Sequence, residues 1–254
     1  MTAMKFRDMK FGVTRVKMRE GQNGIRYMVA DQALAPYPER MTDRLVHWAK
    51  EKPTQTLFAR RAKNADGSSG DWQHISFAQA LDSARHIAQG LINRDLSADR
   101  PVVILSENDL EHALMALGCL VAGVPYCPAS PAYSTISQDY DKLRHILSTL
   151  TPGLVFAADA ARYGKAIQTA VGTDVEVVLT HGTAEGHTNT SFAELLATPI
   201  TPAVDAAMQA TGPDTIAKFL FTSGSTKMPK AVMNTNRMWC ANQQQMCQSM
   251  PLLA

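Results

Sequence analysis

Residues 219–232 read F-L-F-T-S-G-S-T-K-M-P-K-A-V, and they gather the groups in this chain best suited to chemistry. Thr222, Ser223, Gly224, Ser225 and Thr226 follow one another directly behind an apolar run. Their four hydroxyls and closely spaced backbone N–H groups can converge on one anion. Gly224 permits close backbone approach. Lys230, one residue past Pro229, adds a point charge that can neutralise the anion or anchor the loop. Such a set suits a loop that holds a polyphosphate. The plain alternative is a polar turn between two strands. The loop is not a Walker loop, because Gly224 lacks the second glycine. A dinucleotide glycine fingerprint is missing, and so is a nucleophile elbow.

The elements that must position this loop can be read from hydrophobic periodicity. Apolar β-branched runs alternate with helical patterns, which predicts α/β architecture, a sheet layered with helices. Strands are expected at residues 25–30, 57–62, 101–105, 154–157, 175–179, 216–221 and 230–233. Residues 65–70 are turn-rich and predict a hairpin connection into 72–75. Ser76 should cap a helix, since Phe77, Ala80, Leu81, Ala84, Ile87, Ala88 and Leu91 recur at steps of three and four. Asn108 or Asp109 should start another helix, closed by Gly123. Residues 124–128 read as a short strand at a sheet edge, because Pro125 and Pro128 remove donors. Further helices are expected around Leu45, Leu143 and residues 160–171, and over 234–248. Residues 180–190 read as a loop, and the Pro- and Ala-rich stretch 198–214 as a linker or boundary. Two units follow: an N-terminal subdomain over 1–200, and residues 201–254 as the start of a second that carries the loop.

Composition narrows the classes. The chain has 254 residues, 45% of them hydrophobic and 19% charged, as in an ordinary globular protein. A formal charge of +2 gives no reason to expect nucleic acid as partner. Cys119, Cys127, Cys240 and Cys247 form no C-x-x-C pair, and no His cluster completes a metal site. Buried thiols and a reducing, cytoplasmic compartment fit this usage. Prolines interrupt the longest uncharged run, so no membrane span is expected. Trp72, Phe77 and the methionines at 228, 233, 238, 246 and 250 read as core filling, and His181 and His187 as surface residues.

Residues 222–231 resemble the phosphate-loop signature of the AMP-forming adenylating enzymes, a superfamily of acyl-CoA synthetases, luciferases and peptide-synthetase adenylation domains. Residues 72–81 resemble an early element of that superfamily, and residues 116–128 a second, in the same order and spacing. The wording around the loop is most similar to bacterial feruloyl-CoA synthases. The resemblance implies a layered α/β N-terminal domain and two half-reactions. A carboxylate attacks the α-phosphorus of ATP to give acyl-adenylate and pyrophosphate, and a thiol, commonly that of coenzyme A, then displaces AMP. Mg²⁺ usually shares the charge on the phosphates. Thr222, Ser223, Gly224, Ser225, Thr226 and Lys230 would bind the nucleotide, with Lys230 as the catalytic cation. Lys227 departs from the family, which uses glycine there; a bulky side chain at that point should obstruct the cradle, the alternative being an extra cation that helps hold phosphate. The resemblance covers the first part of a typical member. Adenine, ribose and acyl contacts and a C-terminal catalytic lysine would lie past Ala254, so little ligase activity and a tendency to homodimerise are expected. A non-catalytic nucleotide-binding or interaction fragment is the alternative.

Overall fold

A computed structural model of the chain describes residues 11–13, 15–64, 66–222 and 228–253. Two antiparallel hairpins lie outside the main sheet. They are β1 (Val16–Glu20) with β2 (Arg26–Ala30), and β3 (Thr56–Lys63) with β4 (Ser69–Ser76). Helix α1 (Met41–Glu51) separates them. Next come α2 (Phe77–Ile92), β5 (Val102–Leu105), α3 (Leu110–Ala122), β6 (Tyr126–Pro128), α4 (Ala132–Thr135) and α5 (Asp141–Leu150). They are followed by β7 (Leu154–Asp159), α6 (Ala160–Ala170), β8 (Glu176–His181), β9 (Asn189–Ser191), α7 (Phe192–Leu196) and α8 (Pro202–Ala210). The last described strands and α-helix are β10 (Ile216–Thr222), β11 (Lys230–Thr235) and α9 (Asn236–Ser249).

Seven strands form one sheet in the order β11-β10-β6-β5-β7-β8-β9. Every neighbouring pair is parallel except β10 with β11. Helices cover both faces, so the central strands are apolar throughout rather than alternating. Val102 and Ile104 join a core with Ile87, Leu91, Leu114 and Met115 from α2 and α3. Val103 and Leu105 face the other way, into a core with Leu143, Ile146 and Ile167 from α5 and α6.

Local chemistry explains the helix boundaries. Gln79 N–H donates to Ser76 Oγ (3.3 Å) while Ser76 N–H donates to Gln79 Oε1 (2.9 Å), a reciprocal cap that starts α2. Gly123, at φ 70°, ends α3 in the left-handed region that glycine enters most easily. Gly118 lets α3 approach α2 closely, since a Cβ there would stand 2.3 Å from Ile87 Cγ2.

The structure corrects several expectations. β6 is an interior strand, paired with β5 on one side and β10 on the other. Its prolines stand just before the strand and at its last position, so the amides of Tyr126 and Cys127 remain between them. The stretch 198–214 contains a packed helix, α8. Thr201 accepts from Ala203 N–H, Pro202 takes a first-turn position that needs no donor, and Val204 is fully buried with Ala84, Ala88 and Val121. Part of the expected loop 180–190 pairs as β9, parallel to β8. β1 carries no periodicity strong enough to have marked it. Trp72 is 53% exposed and lies beneath Arg61 rather than in the core. Met233, Met238 and Met250 are likewise exposed, so the methionines of this region are not uniformly core filling. Cys119 and Cys127 are buried as expected; burial pushes the Cys127 thiol up to about 12 and Cys119 higher still, leaving both unreactive. No helix among the described residues is long and apolar enough to cross a membrane.

Arg94 ties α2 to the sheet. Its guanidinium donates to both Glu176 oxygens at 2.8 Å, and Thr190 Oγ1 donates to Oε1 at 2.6 Å. Hydrogen bonding from Arg94, above all, holds the Glu176 carboxyl below its ordinary value of 4.5. A depressed folded-state pKa contributes stability above the unfolded value, and that contribution is lost as pH falls through the folded one. The stability advantage of the parent over Glu176→Gln should therefore be full at neutral pH and shrink as pH drops below about 4.5. Urea unfolding at stepped pH measures it; a constant difference down to the lowest pH would contradict it.

Candidate functional site

Strand β10 is built from Ile216, Ala217, Lys218, Phe219, Leu220, Phe221 and Thr222. Ala217 and Phe219 are buried and Thr222 is exposed at the end. Because β10 runs parallel to β6, Thr222 emerges at the carboxyl edge of the sheet, the side on which β5, β7 and β8 also end. Open α/β sheets bind ligands outside that edge. β11 then returns antiparallel, with Thr222 opposite Lys230, Phe221 opposite Ala231 and Leu220 opposite Val232.

The register brings Thr222 and Lys230 side by side, although seven residues separate them. Both are exposed. Ser223, Gly224, Ser225 and Thr226, together with Lys227, lie outside the described residues. Pro229 is buried and delivers the chain into β11.

One residue beside this pair, and another farther back along β10 opposite Asn234, were not singled out by the sequence. His145, on α5, places Nε2 2.9 Å from the Pro229 carbonyl oxygen. Its ring also meets Phe221 edge-on, with centroids 6.2 Å apart at 83°. Its charged neighbours Asp139, Asp141, Lys142 and Arg144 give no local mark of a contact made 84 residues away. Lys218 sets its ammonium 3.8 Å from the Trp239 ring centroid, a cation–π contact. Burial lowers its pKa from the usual lysine value. Helical spacing around Asn236–Ser249 gave no hint that Trp239 would meet it.

Electrostatics distinguish this end of the sheet from the clefts next to it. A cleft of about 430 Å³ lies along the ends of β7 and β8, lined in part by Arg60, Glu107, Asp109, Asp159 and Arg162. Two of its three arginines are paired with carboxylates, Arg60 donating to Asp109 at 2.6 Å and Arg162 pairing with Glu107, while Arg61 lies over Trp72. The carboxylates would repel a polyanion. Charge thus favours the Thr222–Lys230 end for a phosphate chain. Among the described residues, no group of three or more His, Cys, Asp or Glu side chains is placed to hold a metal ion.

Comparison with known proteins adds an independent line. The family model described as AMP-binding enzyme matches residues 45–252. Fatty acyl-CoA synthetase B of Dictyostelium discoideum is 28% identical over 207 residues, covering 77% of this chain and 30% of that protein. A substituted propanoyl:CoA ligase of Rhodococcus jostii is 30% identical over 203 residues, covering 74% of this chain and 38% of that protein. Among solved structures, fatty acyl-adenylate ligase from L. pneumophila, in complex with acyl adenylate and pyrophosphate, superposes with a TM-score of 0.60 at 19% identity. That match covers 83% of this chain and 32% of the other. The chain therefore spans well under half the length of these relatives.

Proposed function

This chain belongs to the AMP-binding enzyme family, and from that premise we propose that it carries the phosphate-holding part of an ATP-dependent acid-activating enzyme. The single observation that supports this most is the register of Thr222 against Lys230 at the carboxyl edge of a parallel sheet. Thr222, Ser223, Gly224, Ser225 and Thr226 supply hydroxyl and amide donors to the β- and γ-phosphates of ATP, and Lys230 supplies the charge. Attack of a carboxylate on the α-phosphorus brings two anions together, so holding the departing pyrophosphate lowers the barrier.

Mg²⁺ and coenzyme A belong to the proposal as what the family resemblance implies, and no residue described here is assigned to either. The relatives above are described as a fatty acyl-CoA synthetase, a propanoyl:CoA ligase and a fatty acyl-adenylate ligase, which supports a carboxylate as the substrate class. Within that class a feruloyl-type aromatic acid is the substrate we propose, on the likeness of residues 218–235 to feruloyl-CoA synthases. A cytoplasmic site of action, residues 201–254 as the opening of a second subdomain, and pairing of two copies complete the proposal. The exposure of Val16, Met18 and Met28 on the first hairpin supports the last.

Lys230→Ala tests the nucleotide reading. Loss of a charge-assisted hydrogen bond should weaken ATP and pyrophosphate binding about 10- to 100-fold. AMP, which lacks the β- and γ-phosphates, should bind parent and variant alike. Calorimetry with the three ligands measures this, and equal ATP affinity in parent and variant would refute the assignment of Lys230.

A further inference from the structure

Pro229 directly precedes β11, and one side chain from another layer of the fold is bonded to it. His145 sits on α5, whose Leu143, Ile146 and Leu147 are buried in the core beneath the sheet. That anchoring fixes the ring on a helix outside the β10–β11 hairpin, in a core that Phe219 of β10 shares. From there it reaches both arms of the hairpin at once. Its edge meets Phe221, the residue before Thr222, and its Nε2–H donates to the carbonyl of Pro229, the residue before Lys230.

We infer that His145 is a positioning residue for the phosphate site, setting where the chain enters β11 and hence where Lys230 begins. The inference rests on the nucleotide reading above. Four features carry it. Proline at 229 has no N–H, so its carbonyl is the one backbone group it offers for fixing its position. The carbonyl belongs to a buried residue, where a missing partner would be costly. The hydrogen bond spans 84 residues, so it sets tertiary placement rather than a local turn. And the group so fixed lies one peptide from the cation that meets the phosphates. A helix that only needed to pack would place an apolar residue here. An imidazole adds a directed donor at the end of a short, stiff arm.

Three variants of the chain test this: His145→Ala, His145→Asn and His145→Gln. The glutamine amide can put an N–H near the place of Nε2, whereas asparagine is too short. Hydrogen exchange over residues 228–235 reports the anchoring, and calorimetry with ATP, inorganic pyrophosphate and AMP reports its effect. In the alanine and asparagine variants, exchange at Lys230–Val232 should quicken about five- to tenfold, and pyrophosphate affinity should fall by a similar factor. The melting temperature should fall by no more than about 4 °C, and glutamine should recover most of both losses. If alanine does not fold, the glutamine–asparagine pair carries the comparison.

Unchanged exchange in the asparagine variant, or glutamine behaving like asparagine, would overturn the inference. So would parent-like pyrophosphate binding in all three variants. A parent chain that binds neither ATP nor pyrophosphate would instead overturn the nucleotide reading, and the role given to His145 with it. That result is recognisable because parent and variants are then equally silent.

Discussion

Phe156→Ala is expected to remove about 3–5 kcal/mol of stability, the cost of deleting a fully buried aromatic ring from a site that cannot collapse. Phe156 stands in the middle of β7 with no exposed surface, and its ring packs at 5.5 Å from that of Phe192 on α7. β7 is itself held between β5 and β8, so the backbone has little freedom to close the gap. An ordinary domain has about 5–15 kcal/mol in total, so the loss should appear as a large fall in the urea midpoint. A shift worth less than about 1.5 kcal/mol would mean that the sheet relaxes far more than its pairing suggests.

The second large effect belongs to Gly118. An added methyl would stand 2.3 Å from Cγ2 and 2.6 Å from Cβ of Ile87, which is completely buried. Something must move, and the near atoms are not the far end of a flexible chain. Gly118→Ala should therefore cost about 1–3 kcal/mol through overpacking, and Gly118→Val more. The mechanism has its own signature. In an Ile87→Ala background the space exists, so the same glycine substitution should cost much less, giving a coupling that a double-mutant cycle detects. Equal cost in both backgrounds would place the penalty outside the α2–α3 contact. The fold-level consequence is general to this chain. Two helices cover one face of the sheet at a separation set by a residue with no side chain.

Much of this architecture was legible in the residues, and the reasons are local. The helix from Phe77 could be read because its cap, its three-and-four spacing and its small buried alanines all lie within one stretch. β5, β7 and β8 could be read because a strand buried on both faces is apolar at every position. β10 and β11 were visible as two short runs rich in apolar and β-branched residues on either side of a hydroxyl-rich sequence. What escaped depended on partners elsewhere in the chain. Pro202 and its alanines looked like a linker until Val204 found Ala84 and Val121. Trp72 looked like core until its hairpin proved to lie off the main sheet. His145 carries no signal of its own, because its partner is a backbone carbonyl that comes close only after the sheet has assembled. The strands that carry Thr222 and Lys230 were thus readable, and the helix side chain that meets their hairpin was not.

The position of β6 has a consequence for the growing polypeptide. Ribosomes deliver residues in order, and Tyr126–Pro128 is made long before Ile216–Thr222 arrives to lie against it. Until then, one flank of β6 has no neighbour, and a nascent sheet with a bare flank invites adhesion to another chain. Pro125 faces β5, where its carbonyl accepts from Val102 N–H, but Pro128 stands at the end of the bare flank with no N–H to donate. The proline that ends β6 in the finished sheet thus also guards its open side during synthesis, before Ile216–Thr222 arrives.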